Sequence, residues 1–188
     1  MEPKVKRTKS AEQALASLMN LCAKSEKCSA DARRLMRGWG VSGAEAEHVL
    51  QRLISERFID DSRYAEAFVR EKINLSGWGV YKITATLRQK GISGEVISSA
   101  LEQCSGVDMA ERLTALLTRK LRTVKAKNGT DLRAKLLRYA AGQGYDFTTA
   151  KEVVESLVKS ENEQCDDWDF YYYCLLRLWL PLWPINTP

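Results

Sequence analysis

R-F-I-D-D-S-R-Y-A-E-A-F-V-R-E-K, from Arg57 to Lys72, and G-W-G-V-Y-K-I-T-A-T-L-R-Q-K-G-I, from Gly77 to Ile92, lie a few residues apart near the middle of the chain. Tyr64, Phe68, Val69 and Ile73 recur at i, i+4, i+5 and i+9, which puts them on one stripe of a helix rather than on alternate faces of a strand. Asp60 or Asp61 stands where a helix N-cap is expected, because a short carboxylate there accepts from free backbone N–H groups. Gly91 followed by Ile92 reads as a stop: a left-handed residue favours glycine, and the next apolar side chain packs back on the last turn, here on Leu87.

Working outward, the same stop recurs at Gly40-Val41 and Gly144-Tyr145, 51 and 53 positions from its middle copy. The apolar pairs Val49-Leu50, Ala100-Leu101 and Val153-Val154 keep those offsets. Start signals follow the stops: Ser42 with Glu45 as a capping box, and Ser93 flanked by Ile92 and Ile97 as a cap with a hydrophobic staple. Met109, Leu113, Leu116, Leu117, Leu121 and Val124 form another helical stripe. The pattern predicts three helices per repeat: about 11–24, 29–37 and 43–56; then 61–75, 80–90 and 93–103; then 108–124, 130–141 and 148–159. The expected fold is all-α, three tandem three-helix repeats at 11–57, 58–106 and 107–160. A basic tail at 1–10 precedes them and an atypical tail at 161–188 follows. Units of about 50 residues bury little surface alone, so an elongated, curved array is expected, each unit leaning on its neighbour.

Composition excludes several classes. The 188 residues are 45% hydrophobic and 28% charged, the balance of a folding soluble protein. The five cysteines form no C-x-x-C pair, and Cys22, Cys28 and His48 would lack a fourth ligand, so neither a disulfide framework nor a metal site is indicated. No apolar run follows Lys4, Lys6, Arg7 and Lys9 to make a signal peptide. A cytoplasmic protein without cofactor is expected. One histidine, no Ser-His-Asp set and no P-loop argue against an enzyme, and Gly77 with Gly79 lacks the third glycine and preceding strand of a phosphate cradle.

Net charge is +5, yet it concentrates. Arg112 to Arg138 holds nine basic residues against one acid, Asp131, while Glu161, Glu163, Asp166, Asp167 and Asp169 cluster beyond. A basic stretch is either a solvated helix face or a patch that follows phosphates or an acidic protein.

Taken together, the Phe58-Asp60 turn, Tyr64-Ala65, Phe68-Val69, the glycine pair and the L-x-x-K-G-I stop resemble the RecX regulatory family. The resemblance covers Arg57 to Ile92 closely and Ala11 to Lys159 more weakly. It implies a non-enzymatic modulator of a RecA-type recombinase. Such a protein docks in the groove of the nucleoprotein filament, bridges protomers and blocks extension, strand exchange and repressor autocleavage. Recombinational DNA repair and the SOS response are then its setting. A stand-alone basic helical DNA-binding module remains the alternative, with single- or double-stranded DNA as its direct partner. Neither reading involves a small-molecule substrate or a membrane.

Most family positions have a structural purpose: Phe58 and Ile59 plug the joint between repeats, Tyr64, Ala65, Phe68, Val69 and Leu87 face the core, and Gly77 and Gly79 permit a tight turn. Candidate contacts are Arg70, Lys72, Lys82, Arg88 and Lys90 in the second repeat, on family positions. In the third they are Arg119, Lys120, Arg122, Lys125, Lys127, Arg133 and Arg138, on charge density. For Trp39 and Trp78, in glycine turns, packing in the core or between repeats is the first choice, and exposed rings on which bases stack the alternative. From Cys165 the chain turns aromatic and apolar without family counterpart; Phe170 to Leu180 is too short for the ~20 residues a bilayer requires. A helix packed on the third repeat is the first choice for this tail, ahead of a partner-binding segment or an extension that adds nothing.

Overall fold

The structure is a computed structural model that describes residues 9–41, 43–104, 106 and 108–159. Helices α1 to α3 span Ala11–Lys24, Ser29–Gly38 and Gly43–Ser55; α4 to α6 span Asp61–Glu71, Val80–Gln89 and Gly94–Glu102; α7 and α8 span Met109–Leu121 and Gly129–Gln143, and α9 covers 147–159. No strand occurs among the described residues, so the all-α reading and its triplets of helices hold. None of these helices is long and apolar enough to cross a membrane. Ser42, the acidic and aromatic tail and Met1 to Thr8 lie outside the described residues.

Two compact units emerge. The first runs through Met109 and includes Gly142–Tyr145; the second holds Ala110–Ala141 and the residues from Asp146.

Two apolar cores fill the first unit. Leu15, Leu18, Met36, Leu50, Leu53 and Ile59 centre one, with Phe58 packed against it. Tyr64, Val69, Ile73, Ile83, Leu87, Ile92 and Ile97 centre the other, joined by Cys28 from the start of α2. Each fully buried Leu or Ile contributes about 1.5–3 kcal/mol relative to exposure, which outweighs the weak intrinsic stability of helices this short. Phe58 and Ile59 therefore close the first core, and it is Cys28 that crosses into the second. In the second unit Leu113, Leu117, Leu136, Ala140, Val154 and Val158 are buried.

The glycine stops form as their sequence requires. Gly40 has φ 85° and Gly91 φ 74°. Val41 N–H donates to the Met36 carbonyl at 3.0 Å and Ile92 N–H to that of Leu87 at 3.1 Å, the six-to-one bond of a Schellman motif. The same motif ends α3 with Arg57 at φ 59°, where Phe58 N–H reaches the Leu53 carbonyl at 2.8 Å. Ser93 caps α6 by accepting from Val96 N–H at 3.4 Å. Ser10 and Gln13 form a capping box on α1 that the sequence reading did not single out.

Where a single helix was expected over 61–75, α4 instead gives way at Lys72 to a π-helical turn, Lys72–Ser76, that ends on left-handed Gly77. The wider turn keeps Ile73 in the core at 3% exposure while Leu75 stands 84% exposed, so one extra residue is absorbed without breaking the apolar stripe.

Gly79 has a different purpose from the tight turn expected of it. Its φ of −83° is open to any residue, but a Cβ there would overlap the Gly144 carbonyl and its carbon. That approach lets Gly79 N–H donate to the Gln143 carbonyl at 2.8 Å and Tyr81 N–H to the Gly144 carbonyl at 3.1 Å, satisfying the free N-terminus of α5. Gly79→Ala is expected to lower stability by about 2–4 kcal/mol, as overpacking against backbone does, whereas Gly94→Ala, with open space around it, stays within about 0.5 kcal/mol. Urea unfolding midpoints of the two variants check this.

Candidate functional site

The two groups of basic candidates belong to different units. In the first unit Arg70 and Arg88 project from α4 and α5 into solvent. Lys72 is half-buried, paired with Glu71 at 2.7 Å, with its ammonium 5.3 Å from the Phe68 ring and 5.4 Å from that of Trp78. Lys82 lies 4.4 Å from the Trp78 ring and donates to the Gln143 side-chain oxygen at 3.3 Å. These three rings and two cations form one cluster, since Phe68 stacks on Tyr64 and meets Trp78 edge-on.

Lys90 differs from its neighbours. Its ammonium donates to both Asp31 oxygens, at 2.9 and 2.8 Å, across 59 positions of sequence, and lies over the Tyr64 ring at 5.4 Å. The Cys28 thiol donates to Asp31 Oδ2 at 3.3 Å. Asp31 Oδ1 also faces Arg34 at 3.5 Å. Burial disfavours the Asp31 carboxylate, but hydrogen bonds from Lys90 and Cys28 outweigh it and lower its pKa below the ordinary carboxylate range. Burial likewise works against the Lys90 ammonium, and its bonds to Asp31 and Tyr64 prevail, so its pKa is raised. Burial pushes the Cys28 thiol up, which leaves it protonated and a donor.

The joint extends to Asp60 and Asp61, which do different work. Asp60 caps its own helix through Ser62 and Arg63 N–H groups at 2.9 and 3.0 Å. Asp61 accepts from Ser29 N–H at 2.8 Å and so caps α2, whose own N-cap residue, Cys28, makes no side-chain cap bond. Arg63 ties the same region to Glu26 at 2.8 Å and to the carbonyls of Arg57 and Phe58 at 3.3 and 3.4 Å.

In the second unit Arg119, Arg122, Lys125, Lys127, Arg133 and Arg138 are exposed around the end of α7 and the first turns of α8. Lys120 leans over Tyr139 at 5.1 Å. Asp131, the lone acid in this stretch, is taken by Lys135 at 2.7 Å and by Lys127 N–H at 3.0 Å, and those bonds lower its pKa. Its carboxylate is thus engaged within α8 and at its entry, while the cations on either side face solvent.

Residues 60–101 match the family model described as RecX, second three-helix domain. A protein named Regulatory protein RecX from Mycolicibacterium vanbaalenii is 33% identical over 166 residues, covering 84% of this chain and 89% of its own. The chain belongs to the RecX family.

A further RecX protein, from Oceanobacillus iheyensis, is 31% identical over 122 residues, covering 63% of this chain and 44% of its own, so the chain spans under half the length of that relative. A crystal structure of regulatory protein RecX superposes with TM-score 0.70 at 22% identity, over 77% of this chain and 73% of that one, and shares the fold. The RecX model segment holds Arg70, Lys72, Lys82, Arg88 and Lys90; the cations from Arg119 to Arg138 lie outside it. RecX is thus a regulatory family, and the segment that matches its second three-helix domain contains both the Asp61 cap and the Trp78 turn.

The Asp31–Lys90 pair has a definite pH signature. A carboxylate whose pKa is lower folded than unfolded stabilises fully above the ordinary value near 3.9, and that contribution is lost as pH falls through the folded pKa. The raised Lys90 contributes fully below the ordinary lysine value near 10.4 and loses its share as pH climbs through the folded pKa. Asp31→Asn is expected to cost about 2 kcal/mol at pH 7, the scale of charge-assisted hydrogen bonds, with the gap to the unaltered chain narrowing below about pH 4. Denaturant titrations at pH 3.5 and 7 read the difference.

Proposed function

We propose that this chain binds a RecA-type recombinase and its nucleoprotein filament on DNA, and restrains the recombinase during recombinational repair and the SOS response. The observation that carries the reading is family membership combined with exposed cations: Arg70 and Arg88 on α4 and α5 in the matched segment, and in the second unit Arg133 on α8 with Arg122, Lys125 and Lys127 in the segment that joins α7 to α8. A filament on single-stranded DNA presents regularly spaced phosphates within a protein groove, so a partner with fixed cations gains both steering and register. Work of this kind requires binding energy and no covalent step, and the protein acts as a regulator rather than an enzyme. Its place of action is then the cytoplasm, where the filament forms.

Within this reading the candidates sort by availability. Lys90 serves the fold first, through Asp31. The exposed arginines and lysines of the second unit face solvent and suit long-range attraction to acidic protein or phosphate. The stand-alone DNA-binding reading draws on the same surface and differs in one measurable respect, since it gains nothing from the recombinase.

Binding to recombinase-coated single strands is expected to exceed binding to the same strands bare by at least tenfold at physiological salt, and to slow the recombinase's ATP turnover. Reversing Arg122, Lys125 and Lys127 to Glu is expected to weaken coated-strand binding by tenfold or more with helicity unchanged. Fluorescence anisotropy and a coupled ATPase assay measure both. Equal affinity for coated and bare strands would transfer the assignment to the stand-alone module.

A further inference from the structure

Trp78 stands on a turn that its neighbours make rigid. Gly77 is left-handed at φ 65°, and Gly79 is pressed against the Gly144 backbone with its N–H on the Gln143 carbonyl. Phe68 meets the half-buried indole edge-on, with centroids 6.2 Å apart. Two ammonium groups lie over the indole, Lys82 at 4.4 Å and Lys72 at 5.4 Å. Lys82 donates to a neutral amide, and the carboxylate on Lys72 belongs to the largely exposed Glu71. Two like charges are therefore held near one ring whose π face is a weak counter-charge, and a phosphate oxygen offers both a stronger one.

The surroundings extend this surface. Tyr81, on the first turn of α5, is 66% exposed. A groove of about 400 Å³ lined by Tyr64, Phe68, Lys72 and Lys27, with Glu26 and Glu71 also on its wall, shares Lys72 with the turn. The other tryptophan in a glycine turn contrasts with it: Trp39 has Lys9 over its ring at 4.0 Å, and Lys9 N–H donates to the Trp39 carbonyl, so the chain's own backbone is tied down beside it.

We propose that the Trp78 turn is a subsite for a single nucleic-acid strand, in which Lys72 and Lys82 hold a phosphodiester while an unpaired base stacks on the indole. The arriving phosphate draws the ammonium groups off the ring, and the bared face takes the base. Tyr81 offers the next base a second platform. Stacking of this kind tolerates any base, because every base has a π face. The inference deepens the reading above by naming what the second repeat touches, and it rests on that reading only in taking DNA as the polymer.

The test uses the full chain and two labelled 12-mers with the same number of phosphates, oligo(dT) and an abasic strand, without recombinase. Trp78→Leu is expected to weaken oligo(dT) binding about tenfold, within the range known for base–aromatic stacking, and to leave abasic binding unchanged. Lys82→Gln is expected to weaken both and to reduce the salt slope for the single strand by about 0.7. A Trp78→Leu loss shared equally by both strands, or absent from both, overturns the subsite. If circular dichroism shows that Leu disturbs the turn, Trp78→Phe replaces it, with a smaller loss confined to oligo(dT) expected and the same patterns decisive against it. Since no recombinase is present, a failure here is separable from a failure of the filament reading.

Discussion

The first turn of α2 is held by groups that come from the next repeat. Its N-cap residue is a buried cysteine that supplies no cap bond, and the free Ser29 N–H is met by Asp61 of α4 at 2.8 Å. Two residues on, Asp31 receives Lys90 from the end of α5. A helix start leaves N–H groups that must find partners, and acids near that end also meet the positive end of the helix dipole. Here both needs are met across a junction, so the first bundle completes α2 only when the second is folded beside it. Cys28 in the second core and Ile59 in the first add an apolar exchange in each direction. The two bundles of the first unit therefore form one cooperative body, and the exposed cations of α4 and α5 rest on a stiff frame.

What the sequence disclosed and what it concealed divide along the range of the interaction. The stops at Gly40-Val41 and Gly91-Ile92 were legible because everything they require lies within six residues: a left-handed glycine, an apolar follower and a helical carbonyl. The same stop with Arg57 in the left-handed place was not legible, since nothing in the local pattern distinguishes that arginine from a helical one. Asp60 and Asp61 read as alternative caps for α4 because only one is needed there; that the second caps α2 depends on a contact 32 positions away. Likewise Lys90 sits in a basic motif and reads as a surface cation until Asp31, 59 residues earlier, is placed against it.

The π-helical turn shows the same division at a functional place. The stripe of Tyr64, Phe68, Val69 and Ile73 is helical in either reading, and sequence periodicity cannot tell a helix that continues to Leu75 from one that widens after Glu71. In the wider turn, which ends on left-handed Gly77, Ile73 stays inside and Leu75 points out. Lys72, where that turn begins, lies over the ring of Phe68 four residues earlier on α4 and near the ring of Trp78 beyond the turn's far end.

A regulator that engages a repeating polymer gains from cations whose positions are fixed before contact, because each flexible side chain immobilised on binding costs about 0.5–1.5 kcal/mol. The candidates in this chain differ most in that respect. Lys72 and Lys82 are already ordered by aromatic rings, and although Lys72 also meets the largely exposed Glu71, both can exchange a π face for a phosphate without breaking a joint of the fold. Lys90 is ordered too, but by a carboxylate it would have to abandon, at the expense of the α2 joint. Arg122, Lys125 and Lys127 carry charge into solvent with no such preorganisation, which suits long-range attraction and encounter more than register. Charge density along the sequence ranks the second unit highest, whereas the ordering of side chains ranks the Trp78 turn highest, and the second criterion is the one that bears on where a bound strand is held in place.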